Sequence, residues 1–410
     1  DHRDLHLSLR RQRQMCIRDR SNISAAITAV GAYVPEFVLT NPMLETMVDT
    51  NDDWITTRTG IKERRILKGD AKGTSFLAIR AAKDLFQKSG IDPLTIDLVV
   101  VATATPDMKA ASTASYTATQ IGATNAFSFD MDSACSGFLF GMSTAARYIE
   151  SGRYKKVLLI GADKMSSIVN YKDRATCIIF GDGAGAALFE PNDEGLGVQD
   201  EYLRTDGSGR EFLQATYGGS SNAITHEVLD RGGHYAFQEG KTVFKNAVFN
   251  MADATTKIME RNQLNKTDVQ WLAAHQANKR IINATAERME LNPEKVMMNI
   301  EKYGNTTSAT LPLLLNDYET QLKKGDTVIF AAFGYNESFA GSEGLPAFKA
   351  RFNAFLAQIK SRAYNGTSGA RIIVLSPIAN EDVNGVAAGE RNNENLKLYT
   401  AAMSEIAAKN

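Results

Sequence analysis

Ala126-Phe127-Ser128-Phe129-Asp130-Met131-Asp132-Ser133-Ala134-Cys135-Ser136-Gly137-Phe138-Leu139-Phe140-Gly141-Met142 decides how this chain folds. Its first six residues form an apolar, strand-like run. From Phe138 onward the apolar residues Phe138, Leu139, Met142, Ala145, Ala146 and Ile149 fall on one helical stripe, predicting a helix over 136–150. Cys135 therefore sits at a strand-to-helix turn, where helix amides and the positive end of the dipole point at it. That placement is expected to lower a thiol pKa and supply a thiolate near neutral pH. A free cysteine is equally at home as a small buried hydrophobe, so position alone leaves both readings open.

The same alternation continues outward. Strands are predicted at 98–102, 126–131, 157–160 and 184–189, with helices such as 75–88 between them, which implies parallel α/β layering. A second half, 192–333, repeats the plan with helices at 242–261 and 278–289 and strands at 269–274 and 327–332. Residues 218–233 are polar and turn-rich and read as a surface loop.

Composition narrows the function. The 410 residues are 43% apolar and 23% charged with a net charge of -1. That suits a packed core and argues against a general binder of nucleic acid or anionic membranes. Three cysteines, Cys16, Cys135 and Cys177, cannot build a disulfide framework, and a reducing, cytoplasmic setting is expected. No stretch approaches the roughly 18 apolar residues of a membrane span.

Both ends depart from this style. Residues 1–20 hold six arginines, three aspartates and no lysine, and resemble translated sequencing-adapter DNA. Residues 335–410 resemble an internal fragment of a GDSL (SGNH) hydrolase. They lack that family's Gly-Asp-Ser nucleophile motif and its late histidine, so the tail is not expected to act as a hydrolase. The domain expectation is an arm at 1–20, halves at 21–191 and 192–334, and a foreign segment at 335–410.

Of five histidines, His275 ends the apolar run Val269-Gln270-Trp271-Leu272-Ala273-Ala274, and strand ends are where ligands gather in α/β sheets. The polar loop Tyr303-Gly304-Asn305-Thr306-Thr307-Ser308 places Asn305 30 residues later. As a turn it needs no further role. As a site, its amide is a neutral donor suited to a carbonyl becoming an enolate.

Residues 21–334 resemble β-ketoacyl-acyl-carrier-protein synthase III, a thiolase-fold condensing enzyme. The motifs are Ala134-Cys135-Ser136-Gly137-Phe138, Phe180-Gly181-Asp182-Gly183-Ala184-Gly185-Ala186, His275-Gln276-Ala277-Asn278-Lys279-Arg280 and the Asn305 loop. The resemblance implies a layered α-β-α-β-α fold of two pseudo-duplicated α/β halves. It implies a Cys135-His275-Asn305 triad, and Trp54, Arg58 and Arg174 around the adenine of coenzyme A. It also implies Arg280 and Lys245 at an acidic carrier protein. Expected substrates are acetyl-coenzyme A or another short acyl-coenzyme A, with malonyl-acyl carrier protein; no metal or cofactor beyond the coenzyme A thioester; a homodimer. Two departures stand out. Ala110-Ala111 replaces Phe-Pro in a loop that reaches the partner's acyl pocket. Tyr335 follows Phe333-Gly334 where the family has an oxyanion-hole glycine, and the closing strand after it is missing. An inactive scaffold that only binds coenzyme A is the alternative.

Overall fold

The computed structural model describes residues 23–205 and 207–333. The chain divides into two units, Asp1–Glu337 and Ser338–Asn410, and every described residue belongs to the first. The readings of 1–20, Cys16, Tyr335 and 335–410 lie outside the described residues.

The first sheet has five strands: β1 (Ser24–Tyr33), β2 (Leu98–Ala102), β3 (Phe127–Met131), β4 (Val157–Lys164) and β5 (Asp182–Asn192), in the order β1-β5-β4-β2-β3. β2 is apolar throughout and buried at all five positions, as a central strand covered on both faces must be. Its alternation sorts the core. Val99 and Val101 face helix α2 (Thr74–Ser89), which contributes Leu77, Ala81 and Leu85. Leu98 and Val100 face helix α4 (Gly137–Glu150), whose Phe138, Met142 and Ile149 meet Leu311 and Leu314 of helix α7 (Thr310–Asp317). Between α2 and α4 in the chain lies α3 (Thr113–Gln120), preceded by α1 (Asp52–Thr59). Burying each Leu or Phe here contributes roughly 2 kcal/mol.

A second sheet lies beyond α4 and α7. It pairs β6 (Trp271–Ala274) with β7 (Val328–Ala331) in parallel. Ala273 faces the middle helices. Leu272, Ala274, Ile329 and Ala331 face α5 (Gly240–Arg261) and α6 (Lys279–Arg288). The expected five layers are therefore present: helix, sheet, helices, sheet, helices. Among the described residues β7 has no second partner strand.

Two expectations are corrected. The first sheet is mixed, because β5 runs antiparallel to both β4 and β1. Between β4 and β5 lie only two helical turns, Met165–Ser167 and Arg174–Cys177, and no helix long enough to run back along the sheet and return the chain to the starting end of β4, as a parallel crossover does. β1 was not among the expected strands; its alanine-rich face hides the period. The loop at 218–233 also holds a helical turn, His226–Asp230, capped by Thr225.

The glycines of Gly181-Asp182-Gly183-Ala184-Gly185 serve close packing. A Cβ on Gly185 would stand 2.6 Å from the Pro312 Cβ, so α7 rests directly on the β5 backbone.

Candidate active site

Cys135 lies in a tight helical turn, Ala134–Ser136, between β3 and α4. It is half-buried and unpaired. Ala134, just before it, holds a left-handed φ of 43°, a conformation costly for a residue with a Cβ and retained where the surroundings impose it. Cys135 lines a cavity of about 580 Å³ together with Phe140, Met165, Phe180, Thr307 and Phe333.

The expected thiolate is corrected. Burial pushes the Cys135 thiol up to about 12, and the Asp163 carboxylate adds to the shift. Opposing both is a hydrogen bond from the Asn305 side chain. The helix dipole is outweighed because the sulfur is desolvated and faces a buried acid.

Asn305 is aimed by its backbone. Its N–H donates to Ile179 O at 2.9 Å, and its carbonyl accepts from Gly181 N at 3.0 Å, forming a bridge between Phe180 and Asn305. The side-chain oxygen accepts from Thr307 N at 2.8 Å. That leaves the NH2 end for the sulfur. Under this bridge lies Arg64, wholly buried. It donates to Asn41 Oδ1 at 2.7 Å and Ile178 O at 2.5 Å, and burial pulls its pKa down to about 10.

His275 follows β6 and is 3% exposed. Nδ1 lies 2.6 Å from Thr310 Oγ1, and Nε2 is buried without a partner. Burial lowers the ring's pKa to about 3, so the imidazole is neutral.

Asp163, at the end of β4, joins these pieces. Oδ1 accepts from Ala104 N at 2.8 Å, Thr105 Oγ1 at 2.9 Å, Thr103 Oγ1 at 3.0 Å and Thr105 N at 3.1 Å. Oδ2 accepts from Ser308 N at 3.0 Å and Ser308 Oγ at 2.5 Å. Burial still raises its pKa to about 6. Asp163, Arg64 and Thr310 were not identified from sequence. An acid closing the buried run Val157-Leu158-Leu159-Ile160 was the available signal for the first.

Away from the cavity, Trp54 on α1 has the Arg58 and Arg174 guanidinium carbons 5.3 and 4.9 Å from its ring centre. Arg174 also donates to Asp49 O at 2.8 Å. Asn278, three residues after His275, donates to Arg58 O at 3.0 Å and ties this cluster to the start of α6. Arg280 is exposed and stacks on Phe244 at 4.7 Å, one residue before the exposed Lys245 on α5. Cys177 is buried in the core with its thiol raised to about 11, chiefly by burial. Among the described residues no cluster of His, Cys, Asp and Glu could hold a metal ion.

Known proteins resemble this chain in sequence and fold. The family model for 3-oxoacyl-[acyl-carrier-protein (ACP)] synthase III matches residues 129–207, and that for its C-terminal part matches 259–342. The chain is 56% identical over 312 residues to beta-ketoacyl-[acyl-carrier-protein] synthase III of Phocaeicola vulgatus, covering 76% of this chain and 93% of the relative. It is 52% identical over 314 residues to the Porphyromonas gingivalis W83 protein of the same name, covering 77% and 94%. Among solved structures, the synthase III of Thermus thermophilus superimposes with a TM-score of 0.70 at 37% identity, covering 76% of this chain and 95% of that one. The Aquifex aeolicus VF5 enzyme gives 0.67 at 38% identity, covering 76% and 96%. These matches support one acyltransferase core and do not support reading the chain as a multifunctional chimera. With a thiolase-like layered fold and this level of identity over nearly the whole of each relative, the chain belongs to the 3-oxoacyl-[acyl-carrier-protein] synthase III family.

Proposed function

We propose that this chain condenses a short acyl-coenzyme A, acetyl-coenzyme A first among them, with malonyl-acyl carrier protein. The product is a 3-oxoacyl-acyl carrier protein at the start of fatty-acid synthesis. The observation that carries the reading is the convergence of three segments: Cys135 on the cavity wall, Asn305 opposing the upward shift of its thiol, and His275 held by Thr310 five residues after Asn305. Cys135 gives up its proton as its sulfur attacks the thioester carbonyl; the bond from the acyl carbon to the coenzyme A sulfur breaks, coenzyme A leaves as the thiol with that proton, and Cys135 carries the acyl group. Malonyl-acyl carrier protein then loses carbon dioxide, and Asn305 and His275 hold the enolate oxygen with neutral donors. The enolate carbon attacks the acyl-Cys135 thioester and releases the thiol.

The remaining assignments belong to the same reading. Trp54, Arg58 and Arg174 grip the adenine of coenzyme A by stacking an indole and planar cations on a purine. Arg280 and Lys245 meet the acidic carrier protein. The reaction calls for no metal or cofactor beyond the thioester substrate. It needs free thiols, which favours the reducing cytoplasm; no described helix is long and apolar enough to cross a membrane. A homodimer is favoured by β3, an edge strand of the five-stranded sheet whose Phe127 is 39% exposed and packs with Tyr148 and Tyr154. Such an edge invites pairing. An inactive coenzyme A-binding scaffold finds no support in the relatives.

Incubation with radiolabelled acetyl-coenzyme A tests the reading. Label is expected on the intact chain and absent from Cys135→Ala; equal labelling of both would refute it. For the dimer, sedimentation should show two chains per particle, reverting to one in Phe127→Asp.

A further inference from the structure

Thr310 is 2% exposed and is the partner of His275 Nδ1, at 2.6 Å. Its single hydroxyl hydrogen faces a second acceptor, Thr307 O, at the longer distance of 3.1 Å. That carbonyl already accepts the Thr310 backbone N–H. Nδ1 has no other donor within reach among the described residues. At 2.6 Å the contact is shorter than N–H···O bonds run and falls in the range of hydroxyl donors, so the hydroxyl hydrogen goes to Nδ1, while Thr307 O keeps the Thr310 backbone N–H. The ring hydrogen then resides on Nε2, the one atom of the group left buried and unpartnered. A buried N–H without a partner is rare unless a ligand completes it.

We infer that Thr310 is a positioning residue that fixes His275 as the Nε2–H tautomer, so that the ring presents a hydrogen-bond donor to the enolate oxygen. The inference rests on the proposed condensation and deepens it. Asn305 and His275 become matched neutral donors, one oriented by Thr307 N and the other by Thr310 Oγ1. With the opposite tautomer, the Nε2 lone pair would face the developing negative charge and repel it. Thr310 moves no proton: it donates one hydrogen bond, and the ring hydrogen stays on Nε2 while the carbon–carboxylate bond breaks and its electrons move onto the thioester oxygen.

Two measurements on the full chain test this. Nitrogen NMR of protein labelled at histidine, with His275 assigned from the His275→Asn spectrum, should give a pyrrole-like Nε2 and a pyridine-like Nδ1. The reverse pattern overturns the inference. Malonyl-acyl carrier protein decarboxylation and acetyl transfer from coenzyme A to Cys135 should then be compared in Thr310→Val and Thr310→Ser. Loss of one oriented donor lowers such a step by about 100-fold. Thr310→Val should therefore lower decarboxylation at least about tenfold more than acetyl transfer, and Thr310→Ser should restore it. A parallel fall of both steps, or a serine variant as impaired as the valine one, overturns the inference. Failure of the unmodified chain to accept label would instead refute the proposed function and leave the tautomer measurement standing.

Discussion

Asp163 Oδ2 holds Ser308 by both its backbone N–H and its hydroxyl, across 145 residues of chain. The same carboxylate's other oxygen gathers Thr103, Ala104 and Thr105. One side chain thus fastens the Asn305 loop to the end of β2. Replacing it with asparagine removes the charge and forces an amide N–H among donors. Asp163→Asn is expected to cost about 2–4 kcal/mol in urea unfolding and to lower Cys135 acylation.

The same group predicts a pH dependence. Its folded pKa of about 6 lies above the unfolded 3.8, so between those values the folded state binds more protons than the unfolded one. Its contribution to stability is full below about pH 4 and falls as pH rises through 6. Asp163→Asn should lack that loss, so the stability difference between the two proteins should shrink as pH rises from 4 to 7. His275, lowered to about 3, acts in the opposite sense, its contribution being lost as pH falls below 6.5. Its ring resonances should not titrate between pH 5 and 8.

A thiol held near 12 makes the free enzyme slow toward simple alkylation. The Cys135-dependent rate with iodoacetamide, taken as the difference from Cys135→Ala, should keep rising with pH through 9. A plateau below pH 8 would show that the thiolate is already formed in the free chain.

Arg174→Ala removes one of the two cations over Trp54. The proposed adenine contact predicts a KM for acetyl-coenzyme A raised about tenfold with kcat little changed, the mark of a lost ground-state contact. Coenzyme A should also quench Trp54 fluorescence less in this variant.

Gly185→Ala tests the packing of α7. The added methyl would meet Pro312 at 2.6 Å, and overpacking of this kind costs about 1–3 kcal/mol. Because Thr310 lies two residues before Pro312, decarboxylation should fall further than acyl transfer.

The sequence carried the local geometry of the site well. A strand followed at once by an amphipathic helix places Cys135 at the turn, and an apolar run ending in His275 places the imidazole at a strand end. What it could not carry was the consequence of burial. The helix terminus argued for a thiolate, but desolvation and Asp163 decide otherwise, and both depend on chain segments far from Cys135. Arg64 was equally hidden, since an arginine in Glu63-Arg64-Arg65 reads as surface charge until the fold encloses it. The antiparallel course of β5 is hidden because the 165–181 connection is long enough for a crossover but folds into two short turns, which its residues do not mark.

The middle layer of helices has a meaning for how this protein can change over time. α4 begins two residues after Cys135 and α7 begins at Thr310, and both are clamped between two sheets. A substitution there is judged twice, once for folding and once for where it leaves a sulfur or a ring nitrogen. Outer helices such as α2 answer only to the first test. Substitutions in the outer helices are therefore expected to change stability alone, and those in the middle layer to change stability and acyl transfer together.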